Sequence, residues 1–185
     1  MDLGRTALRI VIGPLFVGHG AQKLFGWFGG HGLDGTGSFF EQLGLKPGKR
    51  HATAAGASEA VGGALLTLGA LTPVAAGLIT GTMITATRKV HAAKGPWNTD
   101  GGYEYNLTLV AAMLALTETG PGRPSVDATA FPSLKGNRWA LAQFAAAAAG
   151  AALLTSERMN AGPSPDDAEA PRQNRFARDE SEVAA

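Results

Sequence analysis

Cysteine is absent from all 185 residues, which removes disulfides, thiol catalysis, thiolate metal sites, iron–sulfur clusters and covalent haem attachment. Any redox role must therefore use a borrowed cofactor. Charge is scarce too, at 17% of residues, and the positive charge flanks apolar runs without forming a groove or stripe, so a nucleic-acid partner is not expected. The few large aromatics include Trp27, Trp97, Tyr103 and Tyr105, near the ends of apolar stretches. There they fit an interfacial belt better than a cofactor box.

The remaining composition divides in two. Residues 1–156 carry 12 Lys+Arg against 8 Asp+Glu, whereas residues 157–185 carry 4 against 7 and almost no large apolar side chains. The tail cannot bury enough surface to offset its ordering entropy and is expected to be disordered. Four stretches of the body are apolar enough to be expected to span a bilayer: Thr6–Phe28, Ala52–Leu71, Val74–Val90 and Tyr103–Thr119. Arg5 and Arg9 lie ahead of an apolar run, and no small-residue cleavage site follows before Lys23, so this segment is expected to be retained as the first span.

Glycine, alanine and threonine are abundant in these stretches, and Gly56/Ala60, Glu59/Gly63 and Gly77/Gly81 recur at four-residue spacing. Such faces let membrane helices approach closely. The short Thr72-Pro73 link makes spans two and three a hairpin and places proline in a first helical turn, where it is tolerated. In the loop at 29–50, Ser38–Leu43 is expected to form a short amphipathic interfacial helix. The alanine-rich stretch 139–156 admits a fifth span.

The expected fold is therefore all-α, a transmembrane antiparallel four-helix bundle with room for a fifth C-terminal helix. Residues 1–128 form the four-span domain, 129–156 a connector and candidate span, and 157–185 the tail. The chain would be a multi-pass protein of the cell membrane, with the lipid bilayer as its first partner. With five spans, the distribution of basic residues favours the side holding Lys23, Lys46, Lys49, Arg50, Arg88, Lys89, Lys94 and the tail arginines as cytoplasmic.

Charged residues within the apolar stretches are the candidate site. Glu59 lies about seven residues inside span two, and only 13 uncharged residues separate Glu104 from Glu118. Helical phase puts Arg5, Arg9, His19 and Lys23 on one arc of span one, which is costly against lipid and calls for partners inside the bundle. Pro14 is a place where that phase can be disturbed. Antiparallel threading then gathers His19, Lys23, Glu59, Arg88, Lys89, His91, Glu104 and Asn106 near one membrane face.

Two kinds of chemistry fit the cluster. Glu59 and Glu104 can be neutralised by Lys23 with Arg9 or Arg88, a purely structural role. Alternatively, His19 and His91 can exchange protons with a quinone headgroup, because imidazole titrates near neutral pH and quinone reduction takes up protons. Bis-histidine haem is disfavoured, since nothing in the spacing requires it.

Arg9, Gly18-His19-Gly20, Gln22-Lys23-Leu24-Phe25-Gly26, Glu59 with Gly62-Gly63, Gly101-Gly102-Tyr103-Glu104-Tyr105-Asn106 and the segment Gly120–Asp127 together resemble the DoxX family over residues 4–128. The resemblance implies a four-helix bacterial membrane protein. In some members it implies association with thiosulfate:quinone oxidoreductase, and in others with membrane assemblies for oxidant defence. Carried over by position, it marks Arg9, His19, Lys23, Glu59, Glu104 and Asn106. Residues 137–156 and the tail extend beyond the family's usual length.

Two functions follow as expectations. One is a redox-associated subunit that offers a quinone or similar small molecule a polar intrabundle site beside a separate soluble or membrane redox protein. The other is a non-enzymatic anchor or scaffold that recruits soluble enzymes. Solute transport is a third, but the chain lacks the internal repeat many transporters show.

Overall fold

Leu3–Phe25 form α1, a helix that runs through Pro14 and stops at Gly26, whose left-handed backbone (φ 72°) lets its N–H reach the Gln22 carbonyl at 3.2 Å. The computed structural model describes residues 2–156; the charged tail expected to be disordered lies outside them. Six further helices follow: α2 (Gly32–Gln42), α3 (Gly48–Leu68), α4 (Thr72–Ala86), α5 (Glu104–Thr119), α6 (Val126–Ala130) and α7 (Asn137–Leu154). No strand occurs among the described residues.

The five long helices form the bundle. α1 packs on α3, α3 on α4, and α4 on both α5 and α7, with α5 also touching α7. Glycine sets the closeness of α1 to α3. A Cβ on Gly20 would stand 2.6 Å from the Ala60 amide nitrogen, and one on Gly63 would stand 2.7 Å from that of Val17. The expected small-residue contact face is therefore present, and Gly56 belongs to it as well, while Gly62 makes the close approach of α3 to α4.

The central core is Ile12 and Phe16 of α1, Leu66 of α3, Ala75, Ala76 and Ile79 of α4, and Leu109, Met113 and Leu116 of α5. Its inner residues are small where the helices are closest. The alanine-rich stretch near the C-terminus is a full member of the bundle: Gly77 and Gly81 of α4 face Gln143 and Ala147 of α7. This pairing shows that α4 and α7 run parallel, because both numbers rise together.

Two expectations change. The helix expected over Ser38–Leu43 starts at Gly32 and packs on α3, where a Cβ on Gly37 would meet the Lys49 backbone at 3.1 Å. Glycine-rich sequence had suggested a loop, but close packing needs those glycines. Second, among the described residues no helix is long and apolar enough to cross a membrane. The causes are visible in the sequence: α1 carries Arg5, Arg9 and Lys23, α3 and α7 are dominated by glycine and alanine, and α5 is 16 residues with glutamate near each end.

Candidate functional site

The α3–α4 reversal, at one end of the bundle, is fixed by two buried charges. Arg9, 2% exposed, donates from its guanidinium to the Thr67 carbonyl at 3.1 Å and the Pro124 carbonyl at 2.5 Å. Thr67 lies in the last turn of α3, whose carbonyls lack intrahelical partners and attract a cation. Asp127, also 2% exposed, accepts from the Leu71 and Thr72 amides at 2.8 and 2.7 Å, an anion on the N-terminus of α4.

Gly69 sits between them. Its φ of 59° suits glycine, and a Cβ there would collide with the Arg9 guanidinium and stand 2.6 Å from Ser125 Cβ. Asp127 Oδ atoms and the Arg9 Nη donors thus hold the two loose helix ends. Leu71, at φ 47°, adopts the left-handed conformation without being glycine, and the Asp127 carboxylate holds its amide.

The opposite end is built differently. The ammonium of Lys23 on α1 lies 2.6 Å from Glu59 Oε2 on α3, with Glu59 buried and Lys23 one-quarter exposed. This is the pairing that the sequence allowed for Glu59. It forms one wall of a cleft of about 870 Å³, within the size range of small-molecule sites. α1 contributes Phe16, His19 and Lys23, and α3 contributes His51, Ser58 and Glu59. α4 and the turn after it supply Gly77, Gly81, Thr82, Lys89 and His91; α7 supplies Trp139, Gln143 and Ala147.

The turn after α4 explains how the basic residues arrive there. Thr87–His91 form a π-helical turn, a wide geometry that often marks functional positions, and His91 Nδ1 lies 2.6 Å from the Gly101 carbonyl. The loop 95–103 is thereby tied to the cleft rim. Asn106 is buried on α5, where its amide donates to the Met83 carbonyl at 3.4 Å. His19 is exposed at the mouth, with Nδ1 3.0 Å from Gln22 Oε1.

Of the seven sequence-predicted residues, His19, Lys23, Glu59, His91 and Asn106 line one cleft. Arg9 does not. It is 10 residues from His19 on α1, about 15 Å along the axis, and it belongs to the opposite end. Glu104 also stands apart, exposed at the start of α5, where Oε1 accepts from the Asn98 amide at 2.7 Å. It has neither Arg9 nor Arg88 as a partner: its carboxylate fastens the loop before α5.

Sequence reasoning missed His51 and Gln143. His51, Ala55, Ser58 and Glu59 repeat at spacings of four, three and one, one face of α3, so helical phase carried that signal. Gln143 is the lone amide in the uncharged stretch 139–156. Among the described residues, no group of three or more His, Asp or Glu side chains is arranged to hold a metal ion.

The sequence profile of the DoxX family matches residues 4–92. A protein of Bacillus subtilis (strain 168), named "Putative oxidoreductase CatD", is 32% identical over 116 residues, which cover 63% of this chain and 80% of that protein. No solved structure matches the chain. The matched region carries Arg9, His19, Lys23, Glu59 and the glycine contacts between α1 and α3, so both ends of the bundle fall partly within it. The chain belongs to the DoxX family, a family of membrane proteins.

Proposed function

We propose that this protein is a multi-pass membrane subunit of a redox system, whose cleft takes a quinone or a similar flat ring bearing an apolar tail. The observation that carries the reading is the cleft itself: an apolar groove along α1, α4 and α7 that ends at Lys23–Glu59, His51, Lys89 and His91. An amphiphile is the matching shape. Its tail would lie against Leu15, Val74, Leu78 and Ala146, and its oxygens would meet the polar end.

Membrane embedding is supported by the outer surface. Ile10, Val11, Val61, Leu107, Leu141 and Leu153 are each more than half exposed, while Arg9 and Glu59 point inward and are paired. In water such a surface would be costly; against acyl chains it is the natural one. Phe25, Trp27, Phe28, Trp97 and Tyr105 are exposed at the cleft end of the bundle, the position of an interfacial aromatic belt. The bundle would thus embed as a unit, with small residues inside and large ones outside.

In the cleft, Lys23 would donate to a ring oxygen as it gains negative charge, with Glu59 holding the ammonium in place. The imidazoles of His19, His51 and His91 would supply the protons that accompany ring reduction. The electrons would come from a partner protein, because the chain has no thiol to provide them. The relative's printed description as an oxidoreductase supports the same class.

The test is to purify the protein in mild detergent, extract its lipids for quinone and identify copurifying proteins. A stoichiometric quinone that Glu59→Gln and His19→Ala deplete is the expected result. Repeated purification without quinone, together with a stable partner retained by both variants, would replace this reading with a non-enzymatic scaffold.

A further inference from the structure

Gln143 is buried in α7, 6% exposed, and neither its Nε2 nor its Oε1 has a hydrogen-bond partner. Its place in the fold makes this unusual. It lines the cleft, opposite Gly77, where a Cβ on α4 would stand 3.7 Å from the Gln143 Cβ and 3.9 Å from its Oε1. A buried amide with nothing to bond costs free energy compared with an apolar side chain of the same shape.

The level of Gln143 relative to the ion pair follows from helix register. Gly62 of α3 lies beside Leu78 of α4, so in this antiparallel pair Glu59 lies near the level of Gly81. Gly81 in turn faces Ala147 of α7, and Gln143 is four residues, about 6 Å, farther toward the closed end. The Gln143 amide is therefore a polar point of the cleft on α7, about one helical turn deeper than the level of Lys23–Glu59.

We infer that Gln143 is a ligand-anchoring residue: its amide donates to the second oxygen of a ring whose first oxygen meets Lys23. The inference rests on the proposed quinone-type occupant and sharpens it. A ring with oxygens at opposite corners can satisfy both ends, whereas a molecule with one polar headgroup and a plain hydrocarbon tail leaves Gln143 unpaired. α7 is then part of the site as well as part of the bundle, although it lies beyond the residues that the family profile matches.

The probe is a short-tailed 1,4-benzoquinone, titrated into the full-length protein in detergent. Binding is followed by quenching of Trp139, which lines the cleft one turn from Gln143, in a background where Trp27 and Trp97 are phenylalanine. Gln143→Leu and Gln143→Met both remove the amide at similar volume. The empty variants are expected to melt at or above the wild-type temperature, because an unpaired buried group is gone. Both are expected to bind the quinone at least about tenfold more weakly, while a single-headed probe of equal tail length, an alkylphenol, loses less than about twofold.

Unchanged quinone affinity in two variants that fold normally would overturn the role of Gln143 and leave the proposed function standing. A clear loss of thermal stability in both empty variants would overturn it too, since the amide would then be serving the bundle. Failure of the wild-type protein to bind any quinone would overturn both readings together.

Discussion

The two ends of this bundle use the same residue types for different purposes. At the closed end, Arg9 and Asp127 are each 2% exposed, their charges meet loose backbone groups, and Gly69 lets the chain pass between them. At the open end, Lys23 and Glu59 meet each other beside a cleft, and Lys23 keeps one-quarter of its side chain exposed. A buried charge bonded to backbone at a helix end fixes a fold. One that faces unfilled space with a side-chain partner that can move is available to a ligand.

The sharpest way to break the comparison is at Arg9. Arg9→Met is expected to remove the donors to Thr67 and Pro124 and the cation whose charge acts on buried Asp127, at a cost of about 3–5 kcal/mol. Thermal unfolding in detergent would show it as a large fall in midpoint. Quinone affinity of the fraction that remains folded should match the wild type. A variant of normal stability and altered affinity would mean that the two ends are not functionally separate.

Glu59→Leu is expected to do less to stability and more to the ligand. It strands the Lys23 ammonium, but that side chain can extend toward water, so the loss should be about 2 kcal/mol. Adding Lys23→Met removes the stranded charge and should recover most of the stability without recovering binding. A double variant that regains neither would show that the pair also organises the fold. Glu104→Gln comes next in size: it weakens one exposed hydrogen bond to the Asn98 backbone amide, a change of about 1 kcal/mol or less, and should change ligand affinity less than about twofold, because only Asn98 of this pair lines the cleft.

Much of the helical layout is legible in the chain, because long apolar runs and the Thr72-Pro73 link leave few alternatives for α1, α3, α4 and α5. Placement of charge is less so. Phase puts Arg5, Arg9, His19 and Lys23 on one arc of α1, but phase is an angle and carries no depth; 14 residues from Arg9 to Lys23 separate them by about 21 Å. The Glu104 carboxylate, expected in the cluster, lies outside the cleft for a different reason: a residue at a helix start can turn back on its preceding loop. Gln143 was hidden by context, since an amide among alanines acquires meaning only when Gly77 is seen opposite it.

The smallest expected effect lies outside both ends, at the exposed pair joining α2 to α3, where Lys49 Nζ is 2.5 Å from Asp34 Oδ1. The hydrogen bond from Lys49, reinforced by its charge, holds the Asp34 carboxyl below its ordinary value of 3.8. A carboxylate with a depressed folded-state pKa adds stability that is present above its unfolded pKa and lost as pH falls through the lower folded value. The wild-type protein should therefore lose a small increment of stability below about pH 3.8 that Lys49→Ala lacks, while near neutrality solvent and salt screening leave the two close together. Melting curves at several pH values and two salt concentrations would measure it. A large neutral-pH loss in Lys49→Ala would mean that the α2–α3 contact depends on this ion pair more than on the close approach of Gly37 and Gly48, and that a third region of the molecule behaves like the closed end.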